Sequence, residues 1–398
     1  MSYGTVLALP GVAPLLFATT LARLATRMFL VAVVLYVLAR FGSPVLAGWV
    51  GFAALIPGMI ISPLAGALLD RIGAGRAILA DLAASALLLA ILATAAATDT
   101  IAEIPLLLLC GLYSLTSPLS AAGIRTLLPR MVPPEARDPV NALDTTANAG
   151  VDIVGPVLAG PLVGFLGAPA CFATVAVLFA LATLAAARAQ AGATAPAPSP
   201  GGLLAQALVG LRYVLGHAVL RGLALSYSLQ MVSWGVLLVA VPVAVTRTIG
   251  PGPASDSLVG LLWAAAGCAG ILGALVAGRI GILGREGEVI ALGGLVTAFA
   301  LFPIAALFGL AGLAAGMMLL NAAAGPVDVA VLTLRQRRTD PALLGRVTAV
   351  SMSINLCGLP IGSALGGMLV TQSVTLALSA AAVASLLSAM AARAMLRA

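Results

Sequence analysis

The sequence predicts an all-α membrane protein, with twelve transmembrane helices in two six-helix, pseudo-symmetric bundles. Three observations carry this reading. Hydrophobic residues make up 62% of the 398 and charged residues 8%, with a mean hydropathy of +1.15. Apolar runs of about 20 residues, the length of a membrane-crossing helix, recur along the whole chain. The two halves also align at a constant offset of 207 residues.

Composition excludes an ordinary soluble domain, which carries about 25% charged residues. So few charges cannot cover a water-facing surface, so lipid is the solvent for most of this chain. Backbone amides in hydrocarbon must bond within helices or closed barrels, and long apolar runs without alternation select helices. The basic residues are all Arg, 20 in number, and the net charge is +7. Basic residues gather in the cytoplasmic loops of membrane proteins. Without a basic stripe and interleaved aromatics, no nucleic-acid partner is expected. Cys110, Cys171, Cys268 and Cys357 lie inside apolar runs without metal-ligand spacing and read as packing residues. No metal and no cofactor are expected. The N-terminal stretch has neither a charged leader nor a convincing cleavage site, so it reads as a short tail before an uncleaved first span.

Gly, Pro and charged punctuation divides the chain into spans at about 13–40, 45–69, 76–97, 102–128, 141–166 and 169–187, then 218–245, 257–279, 287–309, 312–334, 346–370 and 373–393. This gives an N-terminal bundle over 1–187, a linker over 188–217 and a C-terminal bundle over 218–398. The linker opens with AQAGATAPAPSPGG, which has no periodicity, and continues into the weakly amphipathic LLAQALVGLRYVLGHAVLRG, expected at the membrane surface. With the N-terminus cytoplasmic, nearly every loop Arg falls inside, including Arg71, Arg130, Arg188, Arg285, Arg335, Arg337 and Arg393; only Arg40 and Arg247 fall outside. The positive-inside rule then places both termini in the cytoplasm, with the chain in the inner membrane.

The repeat aligns Gly66-Ala67-Leu68 with Gly273-Ala274-Leu275, Arg130 with Arg337, Pro134 with Pro341, Asn148 with Asn355, and Gly155 and Gly160 with Gly362 and Gly367. A duplicated six-helix unit is an architecture of secondary transporters, in which two similar bundles rock about one site.

The loop after the second span runs Gly66-Ala67-Leu68-Leu69-Asp70-Arg71-Ile72-Gly73-Ala74-Gly75-Arg76. It closely resembles the G-x-x-x-D-R-x-G-R signature of the major facilitator superfamily. The resemblance extends over most of the chain. TLLPRMVPPEARDPVNAL, GLRYVLGHAVLR and TLRQRRTDPALLGRVTAV are similar to the branch that includes siderophore and macrolide exporters. It implies the major facilitator fold and a cytoplasmic gate, in which Asp70 meets the N-terminal end of the eleventh helix and nearby Arg residues. A carboxylate is stabilised at that positive helix end. The plainer alternative is that Asp70, Arg71 and Arg76 only set topology. The second copy, GALVAGRIGILGR, has Ala277 and Gly278 where the carboxylate belongs, which implies an asymmetric gate. On the fifth span, the stretch from Gly150 to Pro161, with Gly155, Pro156 and Gly160, resembles the GP-x-x-GG signature of drug:proton antiporters, departing at Ala159. Its small residues serve either helix packing or a direction-specifying role.

Charges within spans are costly and therefore informative. Arg27 on the first span and Asp152 on the fifth both lie roughly 16–21 Å from the inner face at 1.5 Å per residue. They read either as a proton-carrying site or as a fixed ion pair; burial and a nearby Arg act on such a carboxylate in opposite directions. Arg23 lies one turn below Arg27 on the same face. Asp81 and Arg125, near the inner ends of the third and fourth spans, read as a structural pair. Asp328 lies on the tenth span, one of the helices that line the cavity in the resembled family. That family's proton-coupled drug exporters often carry a mid-helix Arg on the fourth span, where Tyr113 and Ser114 stand here. His217, the single His, is read as incidental.

The expected function is export of a small amphipathic compound by proton antiport, the chain acting as a monomer in the bilayer. Uptake or facilitated movement of a metabolite or lysolipid is the alternative. A membrane-embedded enzyme would need a catalytic constellation that one His does not supply, and no phosphate-binding loop points to ATP-driven transport.

Overall fold

The computed structural model describes residues 3–62, 72–128, 131–190, 203–280, 284–340 and 343–396. The described chain is nearly all helical. Among the described residues, twelve helices are long and apolar enough to cross a membrane: α1 Val12–Phe41, α2 Pro44–Ser62, α3 Ala74–Ala97, α4 Glu103–Ser120, α5 Pro139–Leu166, α6 Ala168–Ala189, α7 Ala218–Ile249, α8 Pro253–Arg279, α9 Glu286–Ala305, α10 Gly309–Arg337, α11 Val350–Gln372 and α12 Val374–Met395. They match the twelve expected spans to within several residues. The largest differences are local. α4 continues helically to Leu127. The fifth helix begins at Arg137, where Pro139 sits in the first turn and its missing N–H costs nothing. α9 loses helical geometry at Phe302, beside Pro303, because proline removes a backbone donor.

The surfaces are those of a protein dissolved in lipid. On α4, Ile104, Leu108 and Leu112 are exposed, one turn apart on one stripe. Inside, small and polar residues do much of the packing, as lipid gives apolar side chains no reason to prefer the interior.

The chain forms two compact units, Met1–Val33 with Ala53–Leu204, and Val34–Phe52 with Ala205–Ala398. In the first, α3 packs against α4 and α6. An aromatic cluster holds α1, α4 and α6 together. Phe29 meets Tyr113 edge-on at 4.8 Å and Phe172 at 6.3 Å, and Tyr113 meets Phe179 at 6.0 Å. Gly73 opens α3 at φ 84°, a left-handed conformation that favours glycine, although a side chain would meet nothing within 4 Å. The backbone shape, rather than space, requires it.

In the second unit α7 is central and packs against α11 and α12. Buried serines tie α7 to α12. Ser226 and Ser388 hydroxyls lie 3.1 Å apart, Ser388 donates to the Ser226 carbonyl at 2.7 Å, and Ser233 donates to the Ala381 carbonyl at 2.7 Å. Against α11 the contact is made by glycines. A Cβ on Gly358 or Gly362 would collide with the carbonyls of Ser228 and Val232 on α7, and one on Gly366 would lie 2.8 Å from Val236 Cα. The segment from Pro44 joins the same unit. Ser363 donates to the Gly48 carbonyl at 3.2 Å, and a Cβ on Gly367 would lie 2.5 Å from the Pro44 carbonyl. The expected surface helix forms over Leu203–Gly216 and docks by Val214, which is fully buried with Leu220, Ala224 and Val347. His217 precedes α7 and stacks on Tyr213 at 6.1 Å.

Candidate functional site

In the first unit the charges of α1 meet those of the fifth helix in two steps. The Arg23 guanidinium donates to both carboxylate oxygens of Asp144, at 2.8 and 2.9 Å, and to its carbonyl at 3.3 Å. One turn further along, Arg27 Nε donates to Asp152 Oδ1 at 2.6 Å. Arg27 and Asp152 each lie near the midpoint of a 30-residue helix. Their side chains are 44% and 43% exposed, against 30% and 22% for Arg23 and Asp144. Sequence reasoning reached Arg23, Arg27 and Asp152 but missed Asp144. The available signal was spacing. Asp144 and Asp152 are two helical turns apart, so they share the face that an Arg pair at i, i+4 requires.

Gly155 belongs to this same contact. A Cβ there would stand 2.5 Å from Arg27 Cβ, so the motif glycine lets the fifth helix close on α1 at the ion pair. Pro156 and Gly160 are also buried, whereas Gly150 faces open space. Two features that the sequence presents separately are thus one juxtaposition.

Among the described residues, the fourth helix supplies no charge to this pair. Tyr113, 3% exposed, has its hydroxyl 3.0 Å from Thr26 Oγ1, beside Arg27 in sequence. Ser114 is buried and accepts from the Gly58 amide at 2.9 Å. Asp81 is buried too, accepting from Ser85 Oγ at 3.3 Å and from the Ser120 amide at 3.1 Å. The Arg125 side chain, its expected partner, lies outside the described residues, as do Gly66, Asp70 and Arg71 of the gate loop. Of that loop, Gly73 forms the turn into α3, and Arg76 is exposed on the helix's first turn.

The second unit has its own polar cluster. Asp328 on α10 is exposed and accepts from the Tyr227 hydroxyl of α7 at 2.7 Å. Further along α10, Arg335 is only 2% exposed. Counted in sequence as a loop charge, it is a buried one. Its Nε donates to Ser351 Oγ at 3.1 Å, and Asn355, turned to satisfy both ends of its amide, accepts from Arg335 at 2.8 Å and donates to the Ser351 carbonyl at 3.0 Å. A buried guanidinium persists where such oxygens meet its N–H groups. Ser351 and Asn355 are the repeat counterparts of Asp144 and Asn148. One position therefore binds an Arg in each unit, from α1 in the first and from α10 in the second.

A third ion pair lies in the second unit. Ala277 and Gly278 do replace the gate carboxylate in the second copy, but Glu286, at the start of α9, holds Arg337 at 2.7 Å. Glu286 is buried while Arg337 is half-exposed. The second unit thus carries a carboxylate–arginine contact between the start of α9 and the end of α10.

Replacing Tyr227 by Phe removes one hydrogen bond to Asp328 and keeps the ring. Because Asp328 stays open to solvent, the expected loss is about 1 kcal/mol, read as a small fall in the thermal midpoint of the detergent-purified protein.

Comparison with known proteins places the chain in a family. A sequence model of the Major Facilitator Superfamily matches residues 15–228. The chain is 46% identical over 393 residues to y4rN of Sinorhizobium fredii (strain NBRC 101917 / NGR234), described as an uncharacterized MFS-type transporter; the match covers 98% of this chain and 96% of that one. Among solved structures it is similar to the nucleoside transporter NupG (D323A mutant), with a TM-score of 0.75 at 14% identity over 97% of this chain and 100% of that chain. It is also similar to a bacterial homologue of the iron transporter ferroportin in an inward-facing state, with a TM-score of 0.71 at 16% identity over 97% and 98% of the two chains. At these identities the structural likeness concerns the fold. The matched sequence model and the full-length relative go further: this chain is a multi-pass membrane transporter, not an enzyme, and it belongs to the Major Facilitator Superfamily.

Proposed function

We propose that the protein is a secondary active exporter of a small amphipathic compound, driven by proton antiport through alternating access. The observation that carries this reading is the Arg27–Asp152 pair. Two ionised side chains midway along membrane helices, each more than two-fifths exposed, are far too costly in hydrocarbon. They therefore face water, and ionisable residues so placed within membrane helices mark substrate or proton pathways. Gly155 supports the same assignment by setting α1 against the fifth helix at that level. The direction of transport rests on the likeness of the Gly150–Pro161 stretch to antiporter sequences. Within the same proposal, residues 1–187 and 218–398 act as the two rocking bundles joined by 188–217. The loop carrying Gly66, Asp70, Arg71, Gly73 and Arg76 closes the cytoplasmic side. The protein works as a monomer in the inner membrane, with both termini cytoplasmic.

Proteoliposomes with an imposed pH gradient test the proposal, using a panel of amphipathic dyes such as ethidium. Gradient-driven dye movement against protons, collapsed by a protonophore, is the expected result. Equilibrative flux indifferent to every gradient would instead identify a facilitator.

A further inference from the structure

α9 and α12 approach closely at Gly294, where a Cβ would stand 3.0 Å from both Ala389 Cβ and the Ser385 carbonyl. Beside this contact runs a groove of about 310 Å³, lined between the two helices by Ala291 and Ala389. Its walls are Leu292, Leu295 and Met390, which are 61%, 47% and 58% exposed. One end of the groove is charged. Arg285 stands immediately before α9, Arg393 in the last turn of α12, and Glu288 beside them. Arg285 Nε donates to Glu288 Oε2 at 3.1 Å, with both side chains about 70% exposed (72% and 69%). Among the described residues Arg393 makes no ion pair.

We propose that this groove binds an anionic phospholipid, with its phosphate between Arg285 and Arg393 and an acyl chain along Leu292, Leu295 and Met390. The apolar walls lie on membrane helices, and both guanidiniums stand where those helices end, at headgroup depth. A free phosphate would use the guanidiniums and leave the apolar length without purpose. A purely apolar partner would use the walls and leave the charges desolvated. A phospholipid satisfies both parts. The Arg285–Glu288 contact is exposed and screened, so it yields readily to a phosphate. Glu288 is the one lining group that disfavours an anion, and it gives a zwitterionic headgroup a foothold. The proposal is independent of what is transported and in which direction.

The test is native mass spectrometry of the full-length, delipidated protein, titrated with phosphatidylglycerol or phosphatidylcholine of matched acyl chains. One phosphatidylglycerol should be retained in preference to phosphatidylcholine. Each guanidinium near a membrane surface contributes about a fivefold preference. Arg285→Gln with Arg393→Gln should therefore erase the preference, and Glu288→Gln should increase it. Leu295→Trp, which fills the groove and leaves the charges, should weaken both lipids alike. Equal retention of the two lipids by the wild type would overturn the proposal. So would an unchanged preference in the double Arg variant. Displacement of phosphatidylglycerol by millimolar inorganic phosphate, with Leu295→Trp without effect, would mark a free-anion site and refute it as well. All four positions are at the surface, and monodispersity of each variant confirms that folding is intact.

Discussion

Asp152→Asn is expected to lower proton-driven transport in proteoliposomes by about an order of magnitude or more, while substrate exchange in the absence of a gradient continues. Intramembrane ionisable residues of this kind mark proton pathways, and asparagine keeps the carboxylate's shape while removing its exchangeable proton. Folding should survive, because Arg27 is 44% exposed and water can solvate it once its partner is gone. The double variant Arg27→Gln with Asp152→Asn separates two roles. If the pair only holds α1 to the fifth helix, neutralising both ends leaves no stranded charge, and coupling should return. If Asp152 carries the proton, the double variant remains uncoupled. Full gradient-driven flux in Asp152→Asn would sink the proton-carrier assignment. Arg23 and Asp144 form the internal comparison. Their pair is bidentate and more buried than Arg27–Asp152, so it is expected to set helix position, and Asp144→Asn to reduce stability more than coupling.

Gly362→Ala and Gly358→Ala should each destabilise the protein by about 1–3 kcal/mol, the usual cost of overpacking a tight interface. The added methyl meets backbone of Val232 and Ser228, not the flexible end of a side chain, so relief requires α7 and α11 to move apart. Alanine's advantage over glycine in a helix, about 1 kcal/mol, does not offset a displaced helix pair. Gly150→Ala is the control. Its Cβ would meet nothing within 4 Å, so the same change there should be neutral or slightly stabilising. Thermal midpoints in detergent read the difference, and equal midpoints for Gly362→Ala and Gly150→Ala would refute the packing argument. Gly155→Ala belongs with the first group in stability. It should also reduce coupling, because the displaced group is Arg27 itself.

The membrane setting, the helices and their order were legible in the chain before any coordinates. Hydropathy integrates over about 20 residues, so single errors average out. Family membership was legible for a related reason. The loop from Gly66 to Arg76 is a contiguous string that needs no folding to be read. Partners were harder. Arg27 and Asp152 were both visible as misplaced charges, but the role of Gly155 at their contact was not. Asp144 was overlooked because it lies nearer the helix start, where a charge looks unremarkable. Tyr227 offered no signal at all, since a tyrosine in an apolar run is ordinary until a carboxylate faces it. Arg335 read as a topology-setting charge and is instead buried among Ser351 and Asn355.

By itself the sequence determined the solvent, the twelve helices, their order and the internal repeat, because each follows from local composition or from a linear comparison of residues. Only the tertiary structure decided which charge meets which, and where glycine is required. The contacts of Arg23 with Asp144, Arg27 with Asp152 and Tyr227 with Asp328 join residues more than a hundred positions apart in the chain. They depend on the rotation and depth of each helix against its neighbour, which an apolar run of a given length leaves unspecified.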